Sequence, residues 1–317
     1  MKNIVTVLGK ISGEQLGFCQ CHEHLLISKG KSYQVNPVLF MDEVDKSTEE
    51  VTSYRAAGGC SLVDAQPVGC GRMAEGLVSI SKETGVHIIA STGFHKLSFY
   101  PEKHWIFGKS REQMREIFRQ ELLEGMYVDA DQKEPEQRIP NRAGQIKTAL
   151  DTEGLTERYR TLFLAAADAA KETGAPVMIH VENGTDPREL LGLLLKEGVR
   201  AEQMIFCHMD RACKELSWHE EVASTGAYLE YDTIGRFKYH SDEREIEIIR
   251  HMCSQGYEDR LLFSLDTTRA RLASYGGSLG LVYLIDSFLP KMAAAGIPEE
   301  KAEQMIRRNS AKAFAWK

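Results

Sequence analysis

His22 and His24 flank Glu23 in the run Cys-His-Glu-His-Leu, while His180, His208 and Asp266 each close a short apolar run: Val-Met-Ile-His, Ile-Phe-Cys-His and Phe-Ser-Leu-Asp. Imidazole nitrogens and carboxylate oxygens are the atoms that zinc and related divalent ions take as ligands. On a strand, residues i and i+2 project to one face, so His22 and His24 can converge on an ion while Glu23 points away. A lone His-x-His says little about metal. Joined to three more ligand-type residues at separate strand ends, it predicts a metal site. Lys147, in Arg-Ala-Gly-Gln-Ile-Lys, is harder to place. An ordinary ammonium cannot ligate a cation, so its chemistry alone makes it a core-edge lysine or a salt-bridge partner.

These residues need a scaffold that brings several strand ends together. Eight strand-like runs, 18–27, 60–68, 87–94, 145–150, 177–181, 204–209, 227–231 and 261–265, are each followed by a longer, mostly helical stretch. Helical period and composition mark 48–57, 73–84, 156–173, 187–197 and 242–254, with a final pair starting at Leu279 and Pro298. Gly58, Gly85, Gly174 and Gly198 stand where C-caps belong. Eight β-then-α units predict a (β/α)8 barrel, which keeps its chemistry at the strand C-termini. No linker-like segment interrupts residues 1–317, so one barrel domain is expected. The connection 95–143 is much longer than the rest and carries Phe99, Tyr100, Trp105 and Phe107, which makes it a candidate substrate lid after strand three.

The bulk properties narrow the function. A formal charge of −7 argues against a nucleic-acid partner. The N-terminus lacks the form of a secretory signal, and no apolar run is long enough to span a bilayer, so the expectation is a cytoplasmic protein with no membrane partner. Seven cysteines without a Cys-x-x-Cys pair read as small buried hydrophobes. Unbroken strand alternation would keep Cys19, Cys21 and His22 from facing one side together. His87, His104, His219, His240 and His251 read as solvated or structural, whereas His95 follows strand three on the catalytic face.

The opening Ile-Val-Thr-Val-Leu-Gly, Leu16-Gly17 and His22-Glu23-His24-Leu25 resemble the N-terminal signature of the phosphotriesterase-related family of the amidohydrolase superfamily. Further motifs match in order and spacing: Ala143-Gly144-Gln145-Ile146-Lys147, Thr173-Gly174-Ala175-Pro176 leading to His180, Cys207-His208-Met209-Asp210, Tyr231-Asp232-Thr233-Ile234-Gly235 and Leu262-Phe263-Ser264-Leu265-Asp266. The resemblance covers essentially the whole chain. It implies two divalent metals, zinc first with manganese or cobalt admissible. His22, His24 and Asp266 would hold the buried ion, and His180 and His208 the more exposed one. Lys147 would bridge both as an N-carboxylated lysine, which turns a cation into a bidentate anion. A metal-bridging hydroxide would attack the substrate, with Asp266 as the catalytic proton carrier. Relatives commonly pair through loops on the active-site side, which makes a homodimer possible, although the sequence itself does not fix the oligomeric state.

Substrate choice must be read from loops rather than from the fold. After strand seven comes Gly235-Arg236-Phe237-Lys238-Tyr239-His240, and after strand eight Thr267-Thr268-Arg269-Ala270-Arg271. Four cations on two adjacent loops of an acidic chain predict a small anionic substrate, anchored mainly by Lys238 and Arg269 with Arg236 and Arg271 nearby. The segment from Gly93-Phe94-His95-Lys96 to His104-Trp105-Ile106 resembles the branch of the family that opens 1,4-lactones of phosphorylated sugars. There a tyrosine, here Tyr100, joins the lysine and arginine on the phosphate. That branch carries a tyrosine soon after the arginine, where this chain has Leu272, with Tyr275 coming later. The alternatives are an amidase or N-acyl amino acid hydrolase, whose carboxylate suits the same guanidinium fork, and a phosphotriesterase-like esterase. A neutral triester would not need the four cations. A barrel that binds without catalysing is disfavoured by the complete ligand set.

Overall fold

The computed structural model describes residues 3–317. The chain enters through an antiparallel hairpin of β1 (Ile4–Thr6) and β2 (Gly9–Ile11). Parallel strands follow: β3 (Cys19–Glu23), β4 (Ser61–Asp64), β5 (His87–Ile89), β6 (Ser91–Gly93), β7 (Gln145–Leu150), β8 (Val177–Val181), β9 (Met204–Cys207), β10 (Tyr228–Tyr231) and β11 (Leu261–Phe263). One ladder joins β3, β4 and β5, and a second runs from β6 through β11. β5 and β6 are halves of one strand interrupted at Ala90, so the two ladders complete a (β/α)8 barrel with helices between its strands.

The seam between β11 and β3 is carried by Ser264 rather than by a strand ladder. Its hydroxyl accepts the His22 N–H at 2.8 Å and lies 2.8 Å from the His22 carbonyl. That carbonyl also accepts the Asp266 N–H at 3.1 Å. The closure of the barrel and the placement of His22 are thus one structural feature.

Strand alternation divides the core. Cys19, Val63, Ile89, Met178, Ile205, Cys207 and Leu262 pack together inside the barrel, while Leu62, Ile88, Ile146, Val177, Phe206 and Phe263 pack outward in the core that includes the helices. Burying each large apolar side chain contributes about 1.5–3 kcal/mol. Gly85 and Gly174 take left-handed backbone at the ends of helices Ala74–Thr84 and Glu157–Thr173, as their C-cap positions predict. Gly93 is required for closeness: a Cβ there would stand 1.9 Å from the Lys147 carbonyl oxygen.

Connection 95–143 divides in two. Its first residues stay at the barrel mouth. Helix Arg111–Leu123 packs on helix Glu157–Thr173, burying Met114, Ile117, Phe118 and Leu122, so it belongs to the outer helical layer and not to a lid. Arg72 ties this connection down through a buried ion pair with Glu121 at 2.5 Å and a 2.9 Å bond to the Tyr127 carbonyl. Among the described residues, no helix is long and apolar enough to cross a membrane.

Candidate metal centre

Lys147 on β7 and His180 on β8 point into the barrel by simple alternation, in step with Gln145 and Met178. His22 and His208 need local breaks. On β3 the register shifts between Gln20 and Glu23, so the expectation that Cys19, Cys21 and His22 cannot share a side fails. Cys19 and Cys21 lie in the interior cluster, and the irregularity re-aims His22 toward the same interior. The strand also ends at Glu23 rather than Ile27, which leaves His24 just beyond it. The Leu25 N–H bonds to Asp64 at 2.9 Å and fixes the chain there.

His208 follows Cys207, which faces inward, so continued alternation would send it outward. Its left-handed backbone, φ 61°, turns the ring into the mouth instead, and Asp266 has φ 48°. Non-glycine residues held in this region store strain that the surroundings must offset, and such residues cluster at functional sites.

The six residues meet at the C-terminal end of the barrel. Ligand atoms of His22, His24 and Asp266 lie within 4.8 Å of one another. His24 Nε2 is 3.5 Å from Asp266 Oδ1, and Lys147 Nζ is 3.2 Å from His22 Nε2. His180 Nδ1 and His208 Nε2 face each other at 2.8 Å, and the His22 and His208 ring centroids are 4.9 Å apart. Lys147 is fully buried and has no ion-pair partner among the described residues.

Electrostatics keep His22, His180 and His208 neutral. Burial, then Lys147, pulls His22 down to about 4. Burial also brings His180 down to about 3 and, with Arg211, holds His208 well below its ordinary value. Burial alone would raise Asp266, but Arg236, together with a hydrogen bond from His24, outweighs it and holds the carboxyl well below its usual range. Neutral imidazoles and an ionised carboxylate are what divalent cations bind. His24 also keeps a buried ring nitrogen, Nδ1, without a hydrogen-bond partner. The residues fit a pair of divalent ions.

The carboxylates that orient the imidazoles carry no role in the sequence reading. His22 Nδ1 is 3.1 Å from Glu230, and His208 Nδ1 is 2.6 Å from Asp232, which also accepts the His208 N–H at 3.1 Å. Their signal is acidic residues at the inward positions of β10 and its continuation. Glu23 points away from the ligands, as predicted, and takes the N–H groups of Leu265 and Thr267 at 2.9 Å each. It thereby holds the loop on which Asp266 stands.

A cavity of about 620 Å³ opens over these groups. Lys238, Arg236 and Arg271 line it, together with Lys96 and Arg211, which the sequence reading did not single out. Lys96 and Arg211 share Glu182, at 2.8 and 3.9 Å. Arg236 is committed to Asp266, and Arg271 to the carbonyls of Leu265 and Ile234. Lys238 lies 4.6 Å from the Tyr239 ring centroid and has no carboxylate partner among the described residues. His95 and Phe99 also line the cavity.

Two expected substrate contacts are not brought to this cavity. Tyr100 is buried beneath it, its hydroxyl accepting the His95 N–H at 2.9 Å. Arg269 lines a neighbouring cleft with Phe40 and Tyr275 and stands 3.9 Å from Glu43, because the loop turns outward before Arg271 returns. Tyr275 accompanies Arg269 there and is bound to Ser47 at 2.9 Å.

An N-acetyltaurine hydrolase of Danio rerio is 28% identical to this chain over 96% of each sequence. A phospho-furanose lactonase of Mycoplasmopsis synoviae is 27% identical, covering 98% of this chain and 91% of its own. The crystal structure of an amidohydrolase from Mycoplasma synoviae superposes with a TM-score of 0.95 at 27% identity, over 100% of this chain and 92% of that one. The sequence profile of the phosphotriesterase family matches residues 2–314, and with this barrel and histidine–aspartate cluster the chain belongs to that family of binuclear metal-dependent hydrolases.

Proposed function

We propose that the chain is a lactonase that opens 1,4-lactones of small phosphorylated sugars. The observation carrying this reading is Lys238, a cation with no carboxylate partner among the described residues, on the wall of the cavity that holds the histidine–aspartate cluster. Arg211 and Lys96 line the same cavity and share the one carboxylate of Glu182, so with Lys238 the cations outnumber it and favour an anion there.

In this reading His22, His24 and Asp266 would hold one divalent ion and His180 and His208 the other, and Lys147, once N-carboxylated, would supply anionic ligand oxygens. Zinc suits the imidazole-rich set. Bound there, the ions supply Lewis-acid polarisation of the scissile carbonyl and acidification of water. Lys147 is fully buried without an ion-pair partner among the described residues, and carboxylation would convert that unpaired charge into an anion. Asp266, kept ionised by Arg236, accepts the proton of the attacking water and returns it to the departing ring oxygen. His95, kept neutral by burial, and Phe99 shape the wall opposite the loop cations and restrict water.

A second reading, hydrolysis of N-acyl amino or sulfonic acids, is favoured by the likeness to N-acetyltaurine hydrolase over nearly the full chain. The same cations would hold the acid group. Turnover of five-carbon sugar 1,4-lactones with and without a 5-phosphate, beside N-acyl amino acids and N-acyltaurine, decides between them. Fast opening of only the phosphorylated lactones, with KM raised at least tenfold by Lys238→Ala, supports the lactonase. Turnover of the N-acyl acids alone replaces it with the amidase.

A further inference from the structure

Behind the loop that carries Arg236 and Lys238 lies a second group of ligand-type side chains. Asp210 in helix Met209–Ala212, His240 at the end of the loop and Glu245 in helix Asp242–Ser254 bring their ligand atoms within 4.8 Å of one another. None of them belongs to the site described above.

Glu245 is fully buried, and neither of its carboxylate oxygens has a hydrogen-bond partner. Asp210 is 6% exposed: one oxygen accepts the Thr233 N–H at 2.6 Å, and the other has no partner. His240 Nδ1 lies 3.1 Å from the Ser241 carbonyl, which can only accept, so the ring proton sits on Nδ1. In the neutral ring the Nε2 lone pair then faces Glu245 Oε2 at 3.2 Å, also without a hydrogen bond. Four acceptor atoms from three chain segments therefore converge with no donor among them.

Two buried carboxylates at this spacing repel each other and have lost their solvation, which is unfavourable unless a positive charge offsets it. Nearby arginines do not supply one. Arg211 is bonded to Asn183 at 2.8 Å, and Arg244 to Glu247 at 3.0 Å. A single shared proton would satisfy one pair of acceptors and leave another bare, whereas a cation can take a ligand atom from each of the three residues at once.

We propose that Asp210, His240 and Glu245 form a third divalent-cation site, distinct from the catalytic pair. One imidazole and two carboxylates are a ligand set for zinc or manganese. A cleft of about 780 Å³ lined by Asp210 and His240 gives an ion a route from solvent. Lys238 and Tyr239 line both this cleft and the catalytic cavity. A cation here ties the loop to the two helices that flank it and fixes the wall that faces the substrate.

The test is metal content per chain, measured by plasma mass spectrometry after equilibrium dialysis against buffered zinc. Wild type is expected to hold one equivalent more than His240→Ala and one more than Glu245→Gln. A His180→Ala/His208→Ala double variant, depleted at the catalytic site, is expected to keep an equivalent that His240→Ala then removes. Should Glu245→Gln fail to fold, His240→Ala, a loop substitution, decides alone. Equal zinc in wild type and His240→Ala overturns the proposal and leaves the carboxylates sharing a proton or an ion pair with protonated His240.

Discussion

Arg236 grips both ends of Asp266: Nη1 reaches the carboxylate Oδ2 at 2.5 Å and Nη2 the backbone carbonyl at 2.9 Å. The other oxygen, Oδ1, is left facing His24. A residue read from the sequence as a substrate cation thus positions Asp266, the proton carrier of the proposed function.

Arg236→Met is therefore expected to lower kcat by about 100-fold, the scale on which small misplacements of reacting groups act. Metal content should stay at the wild-type level, because every ligand remains. A rise in KM with kcat unchanged would return Arg236 to the role of a substrate anchor.

Glu230 and Asp232 hold the Nδ1 atoms of His22 and His208. Outer partners of this kind fix ring orientation and ligand basicity, and their loss costs about 10–100-fold in metal affinity. Glu230→Gln and Asp232→Asn should show that loss in competition with a chelator. Unchanged affinity in both would mean that the barrel walls alone orient the rings.

On the outer layer, Arg111 binds Asp168 through two bonds at 2.6 and 2.8 Å and also reaches Glu197. Burial acts against it, but Arg111 and Lys171 hold the Asp168 carboxyl below its ordinary value. A depressed carboxyl contributes stability above its unfolded value, and that contribution fades as pH falls through the folded one. Both partners are partly exposed, so Arg111→Met should cost about 1 kcal/mol at pH 7 in urea unfolding. The deficit should shrink below about pH 4. A deficit independent of pH would assign the loss to packing of the arginine stem.

Much of this molecule is legible in its sequence where one rule acts alone. Lys147 and His180 sit on uninterrupted strands, so alternation and strand-end position suffice to place them. His22 and His208 do not: a register shift at β3 and left-handed backbone at His208 are local departures that a period-two reading cannot foresee. The loop cations expose a different limit. Arg236, Arg269 and Arg271 look alike as a basic cluster, yet one binds Asp266, one turns into a neighbouring cleft and one is spent on backbone carbonyls. Loop conformation decides among them, and composition carries no record of it. Lys96 and Arg211 escaped notice because each stands alone among residues of other types.

Under the proposed function, hydrolysis depends on divalent ions held by His22, His24, Lys147, His180, His208 and Asp266. Lactone turnover by chelator-stripped protein, followed as zinc is returned, tests it most directly in wild type, His180→Ala and Asp266→Asn. No turnover is expected without metal, with recovery in wild type as the site fills. His180→Ala should lose both metal and turnover, and Asp266→Asn should keep near-normal metal with turnover lowered at least 100-fold. Full turnover by the stripped wild-type chain would contradict this dependence.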